Sequence, residues 1–272
     1  MAAAATVAAL LLTVALAYGL YRLVVHVRAP VVPAVITRTM DAHRSLARDV
    51  GARIDRFLHD RPPKDRTSWP KLVALTFDDG PYPVTTPLLL DVLARLNVHA
   101  TFFLIGRDAE EFPELTRRIA RDGHEIANHT LTHANLDTLG PSGVRAELNG
   151  GRDALTRLAR DPAIATMMRP PHGRFTEQTV VAAQAAGYDV ILWNDDPGDW
   201  RSVTPEELAG HVEAHATAPD IILLHSGRLP TLAMLPPIVD RFRSAGFAFV
   251  TVGELLRRAP IVVIDHPEKH PL

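Results

Sequence analysis

From Lys71 onward, short apolar runs alternate with amphipathic stretches, and no other feature of the chain limits its fold as strongly. The runs cover residues 72–77, 100–105, 125–127, 166–168, 188–193, 221–224 and 247–252. Between them, residues 86–97, 113–122, 142–160, 177–186, 205–216 and 231–245 carry apolar positions at helical spacing. Gly123, Gly187 and Gly246 stand where such helices should end, and Thr204-Pro205-Glu206-Glu207 is a strong helix start. Strand–helix alternation predicts a parallel α/β sheet with crossover helices. Seven units in about 180 residues fit a distorted (β/α)7 barrel better than a small open sheet. With 272 residues, 47% of them hydrophobic, the chain can bury a core of that size.

The first 70 residues read differently. Residues 2–21 are uncharged and rich in Ala, Leu and Val, a length that crosses a bilayer as a helix. Residues 1–28 are therefore expected to be a membrane anchor, with a signal segment cleaved near Ala15-Leu16-Ala17 as the alternative. Residues 29–70 read as a stalk, helical from about Arg38 to His59, ending in the linker Arg61-Pro62-Pro63-Lys64-Asp65-Arg66. Residues 71–259 form the expected catalytic domain, and residues 260–272 a tail. Arg22 and Arg28 follow the apolar span, which by the positive-inside rule places that flank in the cytoplasm.

Polar residues with chemistry gather at the ends of the runs. Asp78 and Asp79 follow the first, His129 the third, Arg169 the fourth, Asp195, Asp196, Asp199 and Trp200 the fifth, and His225 the sixth. In barrels of this class that face carries the active site. A net charge of −2 gives no reason to expect a nucleic-acid partner. With no cysteine the chain has neither disulfides nor thiolate metal sites, so any metal must use His, Asp or Glu, and 13 His are available.

The stretch 75–81, LTFDDGP, sets two carboxylates side by side at a turn. Neighbours on a continuing strand point to opposite faces, so both acids can address one site only if the strand stops there, as Gly80-Pro81 allows. Two close like charges call for a cation or an arginine. His129 and His133, four apart, would share one ion from a single helical turn, and with Asp79 would make an open two-His, one-carboxylate set. If Asp79 binds the metal, Asp78 is free to act as a base, with Arg169 as the group that holds it ionised. His225 is the candidate general acid and Asp199 its partner. Trp200 reads as an apolar wall or as core. His211 and His215 repeat the four-residue spacing mid-helix around Glu213 and are expected to be a solvated surface pair.

With these residues in place the chain resembles the polysaccharide deacetylases of the chitooligosaccharide-deacetylase type, the family 4 carbohydrate esterases. The resemblance covers about residues 71–254 and rests on five ordered motifs. These are T-F-D-D-G at 76–80, H-[ST]-x-x-H at 129–133, Arg169-Pro170-Pro171-His172-Gly173 for the third, D-x-x-D-W at 196–200 and L-x-H at 223–225. It implies one divalent metal, most often zinc, on Asp79, His129 and His133. It implies Asp78 as base supported by Arg169, and His225 as acid supported by Asp199. Pro171, His172, Trp200 and Leu223 would contact the substrate, with the His172 backbone N–H on the oxyanion. His172 stands where the family has an aromatic, and Ser226 where an acid often follows the fifth-motif histidine. Both departures are expected to alter substrate contacts.

The implied activity is hydrolysis of N-acetyl groups from hexosamines of a peptidoglycan or chitin-like glycan, releasing acetate. The alternatives are O-acetyl ester hydrolysis on a polysaccharide such as xylan, and a membrane-tethered glycan-binding protein with a degenerate site. Such glycans place the domain outside the membrane, against the flanking arginines, and it would be secreted if the first segment is cleaved.

Overall fold

The computed structural model describes residues 69–160 and 166–259, together with the two-residue strands Val32–Pro33 and Val263–Ile264. The expected anchor at 1–28, and otherwise the stalk at 29–70 and the tail at 260–272, lie outside the described residues. Among the described residues no helix is long and apolar enough to cross a membrane.

Seven strands build the domain: β1 (Leu72–Asp78), β2 (Thr101–Leu104), β3 (Glu125–Asn128), β4 (Met167–Met168), β5 (Asp189–Val190), β6 (Asp220–His225) and β7 (Ala248–Phe249). They pair in parallel in the order β5-β4-β3-β2-β1-β6. β7 pairs with the start of β1, at Leu72 and Val73, on the edge that β2 occupies further along at Thr76 to Asp78. The helices are α1 (Thr85–Leu96), α2 (Gly106–Glu111), α3 (Pro113–Arg121), α4 (Pro141–Ala159), α5 (Glu177–Ala185), α6 (Pro205–His215), α7 (Leu229–Ser244) and α8 (Val252–Arg258). α2 and α8 are too short for helical periodicity to reveal them. The predicted helix start at Thr204 is a capping box, in which the hydroxyl accepts from Glu207 N–H.

The barrel expected from seven alternating units is realised as a curled parallel half-barrel. The run 188–193 is strand only at Asp189–Val190, because the chain then leaves β4 for the far edge of the sheet. Ile191 N–H still donates to Met168 O, but Asn194 N–H donates to Ile221 O and Leu223 N–H to Asp195 O. Asp195 thereby bridges Ile222 of β6.

Strand parity explains where the chemistry goes. On β1, Val73, Leu75 and Phe77 pack into the layer that includes Leu89 and Leu93 of α1 and Leu235 of α7. Leu72 and Ala74 face the other way, with Phe103, Ala127, Met167 and Ile221, into the hollow of the sheet. Carrying this two-residue alternation forward puts Thr76 and Asp78, His129, Arg169, Leu223 and His225 on the hollow side at the carboxyl ends of their strands. β1 reads as a continuous apolar run because all seven of its residues are buried.

Candidate active site

Asp78 completes β1, and the next residue does not continue it. Asp79 takes the left-handed conformation, with φ 67, and Gly80 follows at φ 70. The turn thus starts one residue earlier than Gly80-Pro81 implies, and it brings the second carboxylate round to the face of the first. A side chain at Gly80 would meet Ser226 Oγ at 2.9 Å. Ser226 is buried, its N–H donating to Asp78 O at 3.1 Å and its hydroxyl to Asp79 O at 3.1 Å. Ser226 thus ties the turn bearing both acids to the end of β6.

Asp78 Oδ1 accepts from Arg169 Nη1 at 2.6 Å. Arg169 is fully buried, and the cost of desolvating it is offset by a partner for each of its three nitrogens. Nη1 also donates to Thr76 Oγ1 (2.8 Å), Nη2 to Leu192 O (2.9 Å) and Nε to Ile191 O (3.2 Å), while the guanidinium lies 4.0 Å from the Phe103 ring centroid. Oδ2 of Asp78 is left for the site, 3.8 Å from His129 Nε2.

His129 and His133 are not on a helical turn, contrary to the reading of their spacing. They lie in a loop after β3, in which Thr130 (φ 71) and His133 (φ 59) are left-handed. The loop itself makes the rings converge, with centroids 5.0 Å apart. His129 Nδ1–H donates to Arg169 O at 2.9 Å, so Nε2 carries the lone pair that faces the acids. Asp79 Oδ1 lies 3.6 Å from His129 Nε2 and 3.2 Å from His133 Nε2, and is buried with no hydrogen-bond partner. Burial raises the Asp79 pKa, but the neighbouring His133, His129 and His225 outweigh it and hold the group at about 2. Two imidazole nitrogens and an orphaned carboxylate oxygen, all within 4.8 Å of one another, fit an open divalent-ion site.

The loop is held by residues that carry no motif. Asn128 is buried; its amide donates to Leu148 O and Tyr188 OH, and its Oδ1 accepts from Thr130 N–H. Glu147 of α4 takes Thr132 N–H and its hydroxyl. Gly151 lets α4 approach, since a Cβ there would fall 2.3 Å from Asn128 Oδ1 and 2.9 Å from Thr130 C. Gly151→Ala is therefore expected to weaken divalent-ion binding by Asp79, His129 and His133 by about 10–100-fold, as loss of outer support does elsewhere. Isothermal titration of metal-free protein measures it, and unchanged affinity in a folded variant would rule out this role.

Across the hollow, His225 closes β6. Its Nδ1–H is bonded to Asp199 Oδ1 at 2.7 Å, and its backbone N–H donates to Asp199 Oδ2 at 2.8 Å. Thr231 hydroxyl adds a third bond to the same carboxylate, at 2.6 Å. Burial pushes the His225 pKa down, but the Asp199 bond and charge, with Asp78 and Asp79, lift it to about 9. Arg228 braces the loop by donating to the carbonyls of Asp199 and Trp200. Asp196 serves the same loop as a turn residue, accepting from Gly198 N–H.

Of the remaining expected contacts, Pro171 and Leu223 are buried, whereas His172 and Trp200 are exposed. Trp200 is thus not core, and the Arg201 guanidinium lies 4.5 Å from its ring centroid. His172 is left-handed (φ 57); its ring meets that of His133 edge-on at 4.7 Å, and its Nδ1 is 2.9 Å from Asn135 Oδ1. Tyr82 had no motif to announce it; burial and the charge of Asp79 push its pKa up to about 12, so it stays neutral near the acids.

The chain is similar to known proteins along most of this domain. Residues 65–191 match the family described as polysaccharide deacetylase. A peptidoglycan-N-acetylglucosamine deacetylase of Bacillus cereus is 36% identical over 192 residues, spanning 69% of this chain and 89% of its own. A chitooligosaccharide deacetylase of Sinorhizobium fredii is 38% identical over 214 residues, spanning 76% and 95%. The solved structure of a peptidoglycan N-acetylglucosamine deacetylase, in complex with an N-hydroxybenzamide derivative, matches with a TM-score of 0.66 at 34% identity, over 70% of this chain and 90% of that one.

Proposed function

The chain belongs to the polysaccharide deacetylase family, and on that premise we propose that it is a metal-dependent hydrolase removing N-acetyl groups from N-acetylhexosamines of a glycan. The observation that carries the proposal is the order across the hollow. Asp78 beside Arg169, the convergent Asp79, His129 and His133, and His225 beside Asp199 stand on one sheet face at its carboxyl end. Asp79, His129 and His133 would hold the ion, zinc being the reading their imidazole–carboxylate set supports. When bound, such an ion supplies a Lewis acid that polarises the acetamide carbonyl and acidifies water.

The residues then divide the proton work. Arg169 occupies Asp78 Oδ1, leaving Oδ2 to accept the proton of the attacking water. The His172 backbone N–H stabilises the oxyanion. His225 is held at Nδ1 by Asp199 and donates from Nε2 to the leaving nitrogen. One water is consumed; the amide C–N bond breaks, and amine and acetate leave. Pro171, Trp200 and Leu223 line the acetyl end of the groove. The relatives named for peptidoglycan favour a cell-wall glycan and an extracytoplasmic domain at residues 71–259, tethered or released according to the fate of residues 1–28.

Acetate release from chitooligosaccharides, peptidoglycan fragments and acetylated xylan tests the proposal. Release from an N-acetylated glycan is expected, abolished by chelation and restored by zinc. Release from xylan alone would move the assignment to ester hydrolysis. No release from any of the three would overturn the enzyme reading in favour of glycan binding.

A further inference from the structure

Away from this site, the segment where the sheet edges meet packs against α6 and forms a second convergent set. Asp195, which bridges Ile222 of β6, is 3% exposed and places Oδ1 2.9 Å from His211 Nε2. One helical turn on, His215 stacks on His211, with centroids 4.1 Å apart and planes 25° from parallel. The pair lies on a helix as expected and His215 is exposed, but His211 departs from a solvated surface pair, being half-buried against a buried acid.

Three details distinguish this set from an ordinary ion pair. His215 Nδ1–H donates to His211 O at 2.8 Å, which leaves Nε2 with the lone pair and the ring fixed by its backbone. His211 Nε2 faces the carboxylate. Asp195 Oδ2 is buried with no hydrogen-bond partner, the same condition as Asp79 Oδ1 in the first site. A single imidazole satisfies one oxygen of Asp195 and leaves the other orphaned, which is costly for a buried carboxylate. A carboxylate oxygen and one nitrogen from each imidazole, all within 4.8 Å, form the second group able to hold an ion among the described residues. Ligands about 2.0–2.2 Å from an ion lie about 3.4 Å apart in a tetrahedral site, and the three donor atoms here already lie within 4.8 Å of one another.

We propose that Asp195, His211 and His215 form a second, structural binding site for a divalent transition ion of the zinc class, clamping α6 to the segment that joins the two sheet edges. Imidazole and carboxylate donors suit zinc, nickel or cobalt rather than calcium or magnesium. The clamp lies one residue before the turn of Asp196 and four before Asp199, so it anchors the root of the loop that orients His225. It does not rest on the deacetylase reading, because ion counting needs no substrate.

The test uses the full-length chain without an affinity tag, in detergent. It is stripped by chelator, dialysed against zinc and counted by mass spectrometry. Wild type is expected to hold two equivalents. His129→Ala/His133→Ala should hold one, and zinc should still raise its melting temperature. His211→Ala/His215→Ala should also hold one, with the Asp79 site intact, and the four-fold variant none. Both helix positions are at least partly exposed, so their loss leaves the core packed; the single exposed change His215→Ala should already weaken the second equivalent. A wild-type stoichiometry of one overturns the proposal, as does a second equivalent that survives His211→Ala/His215→Ala.

Discussion

Asp78→Asn is expected to lower kcat for acetate release by roughly 10²–10⁴-fold, the usual worth of a positioned general base, while the protein keeps its metal. The substitution preserves shape and leaves an oxygen for Arg169 Nη1, but removes the charge that accepts a proton at Oδ2. It also leaves a fully buried guanidinium without its counter-charge, so a stability loss of about 3–5 kcal/mol is expected at most. Metal content separates the two effects. Asp78→Asn should hold the ion of this site as wild type does, whereas Asp79→Asn, which alters a proposed ligand, should lose that equivalent. A folded Asp78→Asn enzyme with full activity would remove Asp78 from the mechanism.

The second large effect concerns His225. His225→Ala should cost a similar factor, and the pH profile identifies the reason. With its pKa raised from 6.5 to about 9, the ring is protonated at neutral pH and loses its transferable proton as pH rises through that value. An alkaline limb in kcat/KM is the expected signature. A bound ion withdraws part of the pull of Asp79, so the limb should fall between 6.5 and about 9. Asp199→Asn removes the main force raising the pKa and should move the limb down by about a unit or more. A limb that stays in place would show that Asp199 only braces the loop. The sign for stability follows from the same shift. The pair's contribution is complete below 6.5, the unfolded value, and is lost as pH rises through about 9.

Much of this was legible because it is local or periodic. The alternation of runs placed the strands, Thr204 to Glu207 announced α6, and two-residue parity puts Asp78, His129, Arg169 and His225 on one face once the strands are known. What misled was spacing read without backbone. Two pairs of histidines four apart look alike in sequence, yet one sits in a left-handed loop after β3 and the other on a helix. Ser226 stood out only as a departure from the family pattern, and its partners are carbonyls 147 and 148 residues away in sequence.

By itself the sequence determined the α/β alternation, the ends of the strands where chemistry gathers, and the candidate acids, bases and ligands, since these depend on neighbours in the chain. Only the tertiary structure decided how they are held. It decided that the strands curl into a half-barrel joined at Asp195, and that Asp79 turns at φ 67 to share a face with Asp78. It decided that Asn128, Glu147 and Gly151 shape the histidine loop, and that His211 meets a buried acid. The reason is physical: burial and hydrogen-bond satisfaction are set by groups far apart in the chain, and no local pattern encodes which carboxylate will be left with an unpartnered oxygen.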